Sequence, residues 1–235
     1  MPDLFLCGAG NPQGVRLALA INRKEQRWDR ISILDDDEAK HGQSILGVEV
    51  TGSFAALGTV PSVSSEVSNM VARTTVGRWT AGRKIDAYGL RPATLIHPSV
   101  DPEGVEYADA VTAYDNAILC AEASIADGAV VFMGAVVGHE CRVGRGCVVA
   151  SNAVLNARVE LADGVYVGTN AAILPEVKVG PWATIGAGSM VAQDVPAGAT
   201  VLGVPGKTLM LRPSVPWPEE IERQVALWAQ SVSSE

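Results

Sequence analysis

The sequence predicts a βαβ domain followed by a parallel β-helix and a short C-terminal helix. Two observations carry this prediction. From residue 119 to residue 196 the chain runs as thirteen consecutive six-residue units, each opening with Leu, Val or Ile and most carrying a small residue in fifth place. Before this repeat, an apolar segment, a Gly-rich turn, a helical segment and a second apolar segment follow one another.

The six-residue period fits neither a helix nor a single strand, whose side chains repeat every 3.6 and every two residues. It fits a short extended segment followed by a corner, and three such units close a triangular coil of about eighteen residues. Each coil buries its aliphatic side chains only against the next coil, so several must stack. A β-sandwich is the alternative, but its strands come at irregular intervals of about 8–12 residues. Thirteen units in one frame therefore favour the β-helix.

The start of the chain is typical of a Rossmann-like βαβ unit. In chain order its elements are strand 3–7, Gly-rich turn 8–14, helix 15–21 and strand 31–34. The helix N-terminus could receive a phosphate, and Asp35 and Asp36 at the end of the second strand could accept hydrogen bonds from a ribose or a base. A plain tight turn is the alternative, because the glycine spacing is incomplete and Pro12 removes one N–H.

The chain divides into three parts, residues 1–95, 96–210 and 211–235. Prolines within residues 91–99 bias their predecessors to extended geometry and mark the junction between the first two parts. The repeat is degraded in residues 99–118, as expected for a first coil that caps the stack.

Three further segments receive simpler predictions. Residues 45–60 are expected to form a strand, a turn and the start of a helix, and residues 62–90 to be largely helical. Residues 218–228 are expected to form a helix with proline at its first turn. We expect this last helix to pack against the fold rather than to catalyse.

Composition excludes several classes of function. The net charge of −8 argues against nucleic acid as a partner. The chain contains no run of eighteen apolar residues, so no membrane span is predicted. The N-terminus lacks a secretion signal, and we therefore expect a cytoplasmic protein. The four cysteines form no CxxC pair, which favours reduced packing residues over a metal site or disulfides.

His139 is the main candidate for chemistry. It is the third residue of its unit, and the residues eighteen positions away, Ala121 and Ala157, leave room beside it. Histidine is the side chain best suited to accept a proton near neutral pH, and Glu140 could fix its tautomer. Because neighbours in a strand point to opposite faces, their contact requires a corner at this point. A solvated turn histidine is the alternative.

Four motifs together give a family resemblance: Ile96-His97-Pro98-Ser99, Val136-Val137-Gly138-His139-Glu140-Cys141, residues 185–191 and Gly203-Val204-Pro205-Gly206-Lys207. They resemble the hexapeptide sugar acetyltransferases, in particular the sialic acid O-acetyltransferase and bacillosamine N-acetyltransferase subgroup. The resemblance implies a left-handed β-helix, a homotrimer, and acetyl-CoA bound between adjacent prisms. It also implies acyl transfer to a nucleotide-linked sugar in surface polysaccharide or glycan synthesis, with no metal, His139 as general base and Glu140 orienting it.

The same resemblance implies the binding residues. The CoA thioester is expected to meet Thr169, Gly186, Ala187, Gly203, Val204 and Lys207, with residues 169, 187 and 205 in one column. The nucleotide sugar is expected to meet Gly8, Gly10, Asp35 and Asp36, and Phe132 is expected to line the acceptor pocket.

The chain departs from the family pattern at three places. Gly10-Asn11-Pro12-Gln13-Gly14 replaces a Gly-Gly-His-Gly turn, Phe132 replaces an asparagine, and Val148 replaces a second histidine. These changes predict a more apolar pocket that suits a different sugar or a longer acyl group. Two other functions are alternatives: a non-catalytic trimeric scaffold, and a γ-class carbonic anhydrase fold, which the single histidine within the repeat disfavours.

Overall fold

The computed structural model describes residues 1–211 and 216–232, the last two by their backbone only. Its helices are α1 Pro12–Glu25, α2 Thr75–Asp86 and α3 Glu219–Val232. The N-terminal strands are β1 Asp3–Cys7, β2 Ile31–Leu34, β3 Ser44–Ile45, β4 Val48–Gly52, β5 Ser65–Asn69 and β6 Arg91–Pro92. Short 3-10 segments lie at Glu38–Lys40, Phe54–Thr59 and Ser62–Ser64.

The N-terminal strands form one sheet in the order β3-β4-β2-β1-β5-β6, parallel except for β3. Helix α1 begins where the sequence provides a cap: the Asn11 side chain accepts from the Gln13 N–H, and Pro12 opens the first turn. Its apolar side packs on the sheet through Val15, Leu17 and Ile21, each at most 2% exposed. The carboxyl ends of the parallel strands therefore lie together at one edge of this sheet.

Strand β5 corrects the prediction that residues 62–90 are largely helical. It pairs with β1 near the centre of the sheet, yet it contains three buried polar residues, Ser65, Glu66 and Ser68. The Glu66 carboxylate accepts hydrogen bonds from Trp28 Nε1 and from Arg27. Because these partners come from other segments, polar residues occupy strand positions without the alternation that a sequence pattern shows.

The repeat forms a left-handed parallel β-helix, and each of its thirteen units supplies a two-residue strand, as predicted. Strands one coil apart are eighteen residues apart, as in the pairing of Ile118 with Val136 and of Val136 with Val154. The strands are β7 Leu95–Ile96, β8 Glu106–Tyr107, β9 Thr112–Ala113, β10 Ile118–Leu119, β11 Ser124–Ile125, β12 Val130–Val131, β13 Val136–Val137, β14 Arg142–Val143, β15 Val148–Val149, β16 Val154–Leu155, β17 Glu160–Leu161, β18 Tyr166–Val167, β19 Ala172–Ile173, β20 Lys178–Val179, β21 Thr184–Ile185, β22 Met190–Val191, β23 Thr200–Leu202 and β24 Lys207–Leu209.

The three faces of the prism differ in their outward side chains. The covered face (β7, β9, β12, β15, β18, β21, β23 and β24) lies under the N-terminal domain, and its outward Val130 and Val148 are at most 2% exposed. The charged face (β8, β11, β14, β17 and β20) carries Glu106, Ser124, Arg142, Glu160 and Lys178. The apolar face (β10, β13, β16, β19 and β22) carries Ile118, Val136, Val154, Ala172 and Met190.

The last coil is two residues shorter than the others. Thr184 pairs with Thr200 and Ile185 with Val201, a spacing of sixteen residues. The expected column of residues 169, 187 and 205 is therefore correct only between its first two members. Beyond this coil, α3 anchors the C-terminal segment through Ile221, which is 0% exposed.

Among the described residues, no helix combines the length and the apolar character needed to cross a bilayer.

Candidate active site

His139 and Glu140 form a hydrogen-bonded pair at a corner of the prism. The corner joins the apolar face to the charged face, between β13 and β14. Glu140 has a φ of +58°, and this left-handed backbone turns its side chain to the same side as that of His139. The distance from His139 Nδ1 to Glu140 Oε1 is 2.9 Å. In a regular strand the neighbouring side chains of His139 and Glu140 would point to opposite faces, and the corner allows them to meet.

The stacking of coils around His139 follows the eighteen-residue spacing. The Glu140 N–H donates to the carbonyl of Ala121, and the Arg158 N–H donates to the carbonyl of His139. The alanines expected above and below the imidazole therefore occupy the adjacent coils. The His139 side chain remains 54% exposed, which leaves it accessible to a ligand.

Arg158 extends this pair into a short chain of charges. Its guanidinium lies 3.5 Å from Glu140 Oε1 and 3.0 Å from Glu176 Oε1. The hydrogen bond from His139, supported by the positive charge of Arg158, holds the pKa of Glu140 below its usual value. Arg158 was not predicted from the sequence, although its position eighteen residues after Glu140 was a usable signal.

The residues expected to hold the cofactor lie at another corner. Thr169, Gly186 and Ala187 belong to stacked turns between the covered and apolar faces, where the Gly188 N–H donates to the Thr169 carbonyl. Within residues 1–211 and 216–232, the N–H groups of Thr169 and Ala187 have no hydrogen-bond acceptor. These two donors are available to the carbonyl oxygens of a ligand.

The segment after the last coil is open to solvent. The Gly203 N–H donates to Ser189 Oγ, which ties the start of the segment to the stack. Val204 is 72% exposed, and Lys207 is exposed at the start of β24. These positions suit contact with the outer end of a bound cofactor.

Asp35 and Asp36 lie at the carboxyl edge of the N-terminal sheet, but their carboxylates are already bonded. Asp35 accepts from the N–H of Ala9 at 2.7 Å and from Lys40 at 3.0 Å. Burial opposes its ionisation, but hydrogen bonds from the Asp37 and Ala9 N–H groups and from Lys40 outweigh this effect, so the pKa of Asp35 is lowered. Asp35 therefore fixes the Gly-rich turn against β2.

Asp36 is more exposed and makes two contacts of its own. Its carboxylate accepts from the Phe54 N–H at 3.0 Å and lies 3.2 Å from Lys84 Nζ of α2.

Gly8 adopts a φ of +115°, which only glycine takes without strain. Gly10 is exposed, with open space around it.

A cavity of about 900 Å³ opens beside these residues, between α2 and the covered face. Gly8, Asp35 and Asp36 line one part of it. Residues that were not predicted line the remainder, notably Tyr166 and Trp182 of the β-helix and Trp217 of the C-terminal segment. The sequence pattern does not indicate these residues, because they belong to elements far apart along the chain.

Phe132 lies where the N-terminal domain meets the prism. Its ring stacks on Tyr114 with centroids 4.7 Å apart, and Tyr114 Oη accepts from Asn11 Nδ2 at 2.8 Å. Burial raises the pKa of Tyr114 to about 12, so the phenol stays protonated. Two of the departures from the family pattern, Asn11 and Phe132, are thus joined through one tyrosine. Phe132 does not line the 900 Å³ cavity.

The cysteines carry free thiols, at residues 7, 120, 141 and 147. In the part of the chain that the structure describes, no three His, Cys, Asp or Glu side chains come close enough together to hold a metal ion.

Comparisons with known proteins agree with this architecture. The family model for bacterial transferase hexapeptide repeats matches residues 114–157. The acetyltransferase domain of PglB from Neisseria gonorrhoeae superposes with a TM-score of 0.81 at 26% identity, covering 89% of this chain and all of that one. PerB from Caulobacter crescentus, in complex with CoA and GDP-perosamine, gives 0.78 at 27% identity, covering 89% and 98%.

WeeI from Acinetobacter baumannii shares the fold, with a TM-score of 0.78 at 21% identity over 89% of this chain and all of that one. No curated protein sequence matches the chain. The repeat, the N-terminal α/β domain and these superpositions lead to one conclusion: over most of its length the chain is similar to hexapeptide-repeat sugar acetyltransferases.

Proposed function

We propose that this protein transfers an acyl group, most simply acetyl from acetyl-CoA, to the amine or hydroxyl of a nucleotide-linked sugar, with His139 as general base. The observation that carries the proposal is the hydrogen-bonded His139–Glu140 pair on an accessible corner. Structural relatives support both substrates: the PglB domain is described with acetyl-CoA, and PerB with CoA and GDP-perosamine.

The roles of the two ring nitrogens follow from the geometry. Nδ1 of His139 faces Glu140, so it carries the proton and leaves Nε2 to accept another. Nε2 takes the proton of the acceptor amine or hydroxyl while the acceptor lone pair attacks the thioester carbonyl. The C–S bond then breaks, and the imidazolium returns its proton to the CoA sulfur. The negative charge of Glu140 stabilises the imidazolium between these steps.

The arrangement of the corners supports a homotrimer. His139 lies at one edge of the apolar face, and the Thr169–Ala187 corner lies at the other edge. One chain therefore keeps its base and its cofactor donors apart. Packing the apolar face of one copy against a neighbour buries its outward aliphatic side chains, including Ile118, which is 54% exposed. It also brings the cofactor corner of one copy beside His139 of the next, and a threefold axis closes this arrangement.

We assign the remaining predicted residues by position. Gly186, Gly203, Val204 and Lys207 continue the cofactor corner toward the end of the prism, and the CoA thioester lies along them. The sugar nucleotide binds at the carboxyl edge of the N-terminal sheet through Gly8, Gly10, Asp35 and Asp36, with its sugar directed toward Phe132.

We place the reaction in the cytoplasm, in surface polysaccharide or glycan synthesis. The free thiols are consistent with a reducing compartment.

The decisive experiment measures CoA release from acetyl-CoA with a panel of UDP-, GDP- and dTDP-linked aminosugars. We expect His139→Ala to lower turnover by about 10²–10⁴-fold with its melting temperature and oligomer mass unchanged. His97→Ala is the matched control, because His97 bonds Ser99 at the domain junction instead. Unchanged turnover in His139→Ala would contradict the mechanism. Failure of every CoA thioester to raise the melting temperature of the wild type would instead favour a non-catalytic scaffold.

A further inference from the structure

The C-terminal segment forms part of the 900 Å³ cavity. Trp217 lines the cavity together with Leu211, and both precede α3. Helix α3 was expected only to pack against the fold, but the segment before it also places an aromatic side chain on the wall of the cavity. A ligand in the cavity would therefore contact Trp217.

The Trp217 ring packs against the prism, and α3 is held at the same corner. The ring lies against Gly198, where a Cβ would come within 2.7 Å of the ring. Val225 of α3 lies beside the same point, and Ile221 is fully buried. Gln224 Oε1 accepts from Trp182 Nε1 at 2.7 Å, which ties the helix to the prism corner. A wall fixed by packing and a hydrogen bond loses little entropy when a ligand binds.

The wall that Trp217 completes is aromatic. Tyr166 projects from the covered face into the cavity, and Trp182 stands at the corner beside it, edge-on to Trp79 of α2. Aromatic side chains bind planar heterocycles by stacking, and every nucleobase offers such a face. The chemistry of this wall fits a nucleobase better than it fits a sugar or a phosphate.

The charges of the cavity agree with this orientation. Arg73 and Lys84 also line the cavity, Lys84 as the ion-pair partner of Asp36, and cations suit a pyrophosphate. The carboxylates of Asp35 and Asp36 line the same cavity and already accept hydrogen bonds from Ala9 and Phe54, so stacking on the aromatic wall adds to what they offer the nucleotide. The Trp182 corner joins the charged and covered faces, and the cavity extends from it to Gly8 and Asp35 of the N-terminal domain.

We propose that Trp217, carried by the C-terminal segment and lining the same cavity as Tyr166, binds the nucleobase of the sugar nucleotide and determines nucleotide specificity. The inference rests on the proposed function and adds a residue, a ligand moiety and a role for the C-terminal segment.

The test measures binding of UDP, GDP and dTDP alone to the full-length protein by titration calorimetry. We expect the wild type to bind at least one of them and Trp217→Ala to weaken that binding by about 10- to 100-fold. Trp217→Phe keeps an aromatic face and should lose less than about fivefold. Leu227→Ala removes an apolar side chain from the same helix that is 59% exposed, and should bind as the wild type does. The KM for acetyl-CoA should stay unchanged in all three variants.

Two outcomes would overturn the inference. If Trp217→Ala binds the preferred nucleotide within twofold of the wild type, the tryptophan does not hold the base, while acyl transfer to a sugar nucleotide still stands. If the wild type binds acetyl-CoA but no nucleoside diphosphate, the acceptor half of the proposed function fails as well. Should Trp217→Ala release α3, seen as lost helical circular dichroism, Tyr166→Ala tests the same wall from the prism, with the same expected loss.

Discussion

Replacing Gly138 by alanine should damage both the stack and the site. A Cβ at this position would lie 2.7 Å from the Leu155 carbonyl oxygen, 2.8 Å from the Asn156 carbonyl carbon and 3.0 Å from the Ala157 nitrogen. Favourable contacts of carbon atoms lie near 3.5–4.0 Å. All three neighbours are backbone atoms of the next coil, so no side-chain rotation relieves the overlap.

The loss of stability in Gly138→Ala depends on how firmly the next coil is held by its hydrogen bonds. The Gly138 N–H donates to the Leu155 carbonyl at 2.9 Å, and the Asn156 N–H donates one coil further on. Overpacking of this kind costs about 1–3 kcal/mol, and rigid backbone neighbours place Gly138→Ala in the upper half of that range. For a chain of this size we expect the melting temperature to fall by roughly 4–12 °C. His139 follows directly, and a displacement near 1 Å lowers turnover by about 10²-fold.

Differential scanning calorimetry and CoA-release kinetics measure the two effects separately. Gly82→Ala is the matched control, because Gly82 lies inside α2 and a Cβ there would be an ordinary 3.5 Å from Asn69. Alanine in a helix interior is favoured over glycine by about 0.5–1 kcal/mol, so this variant should be slightly stabilised and fully active. If Gly138→Ala kept both its melting temperature and its turnover, the close approach of coils would not constrain this corner.

Two further predictions concern charge. Arg158→Gln removes the cation that pairs with Glu140, so the carboxylate should hold His139 less firmly and kcat/KM should fall by roughly two- to fivefold, the effect of a surface ion pair. Arg145→Gln breaks a comparable pair, with Asp163 one coil away, and should leave kcat/KM unchanged; equal losses in both variants would refute a local effect. The folded-state pKa of Asp35 is lowered, so its carboxylate adds stability that is complete above the unfolded value near pH 4 and is lost as pH falls through the folded value. Asp35→Asn should therefore flatten the fall in melting temperature below about pH 4, and an unchanged acid slope would show that the bonds to Asp35 are not a source of acid sensitivity.

The β-helix could be predicted because its pattern is local and repeated. The inward-facing positions recur in every coil. The eighteen-residue spacing therefore placed Ala121 and Ala157 in the coils next to His139 correctly. The spacing failed at Pro205 because the last coil closes in sixteen residues, a shortening that is already present where Val195 bridges Val179 within the thirteenth unit.

The missed features depend on contacts between distant segments. The sequence predicts helix where β5 lies, because a buried glutamate is unexpected in a strand. The Glu66 carboxylate accepts hydrogen bonds from Arg27 and Trp28, which lie almost forty residues away. The aromatic end of the cavity combines Tyr166 with Trp217 because α3 packs at the corner that carries Trp182 and Gly198. Such sites become visible when the chain is folded and not before.

The eighteen-residue length of the coil also determines on which face of the prism each later residue lies. Inserting or deleting one six-residue unit would rotate every later residue by one face, so the Thr169–Ala187 corner would move away from the edge of the apolar face. A complete coil would return later residues to their faces and only translate them along the axis by about 4.8 Å, the spacing of paired strands. Changes in length between His139 and Ala187 that preserve the site are therefore limited to multiples of eighteen residues, and even these alter the distance between base and cofactor.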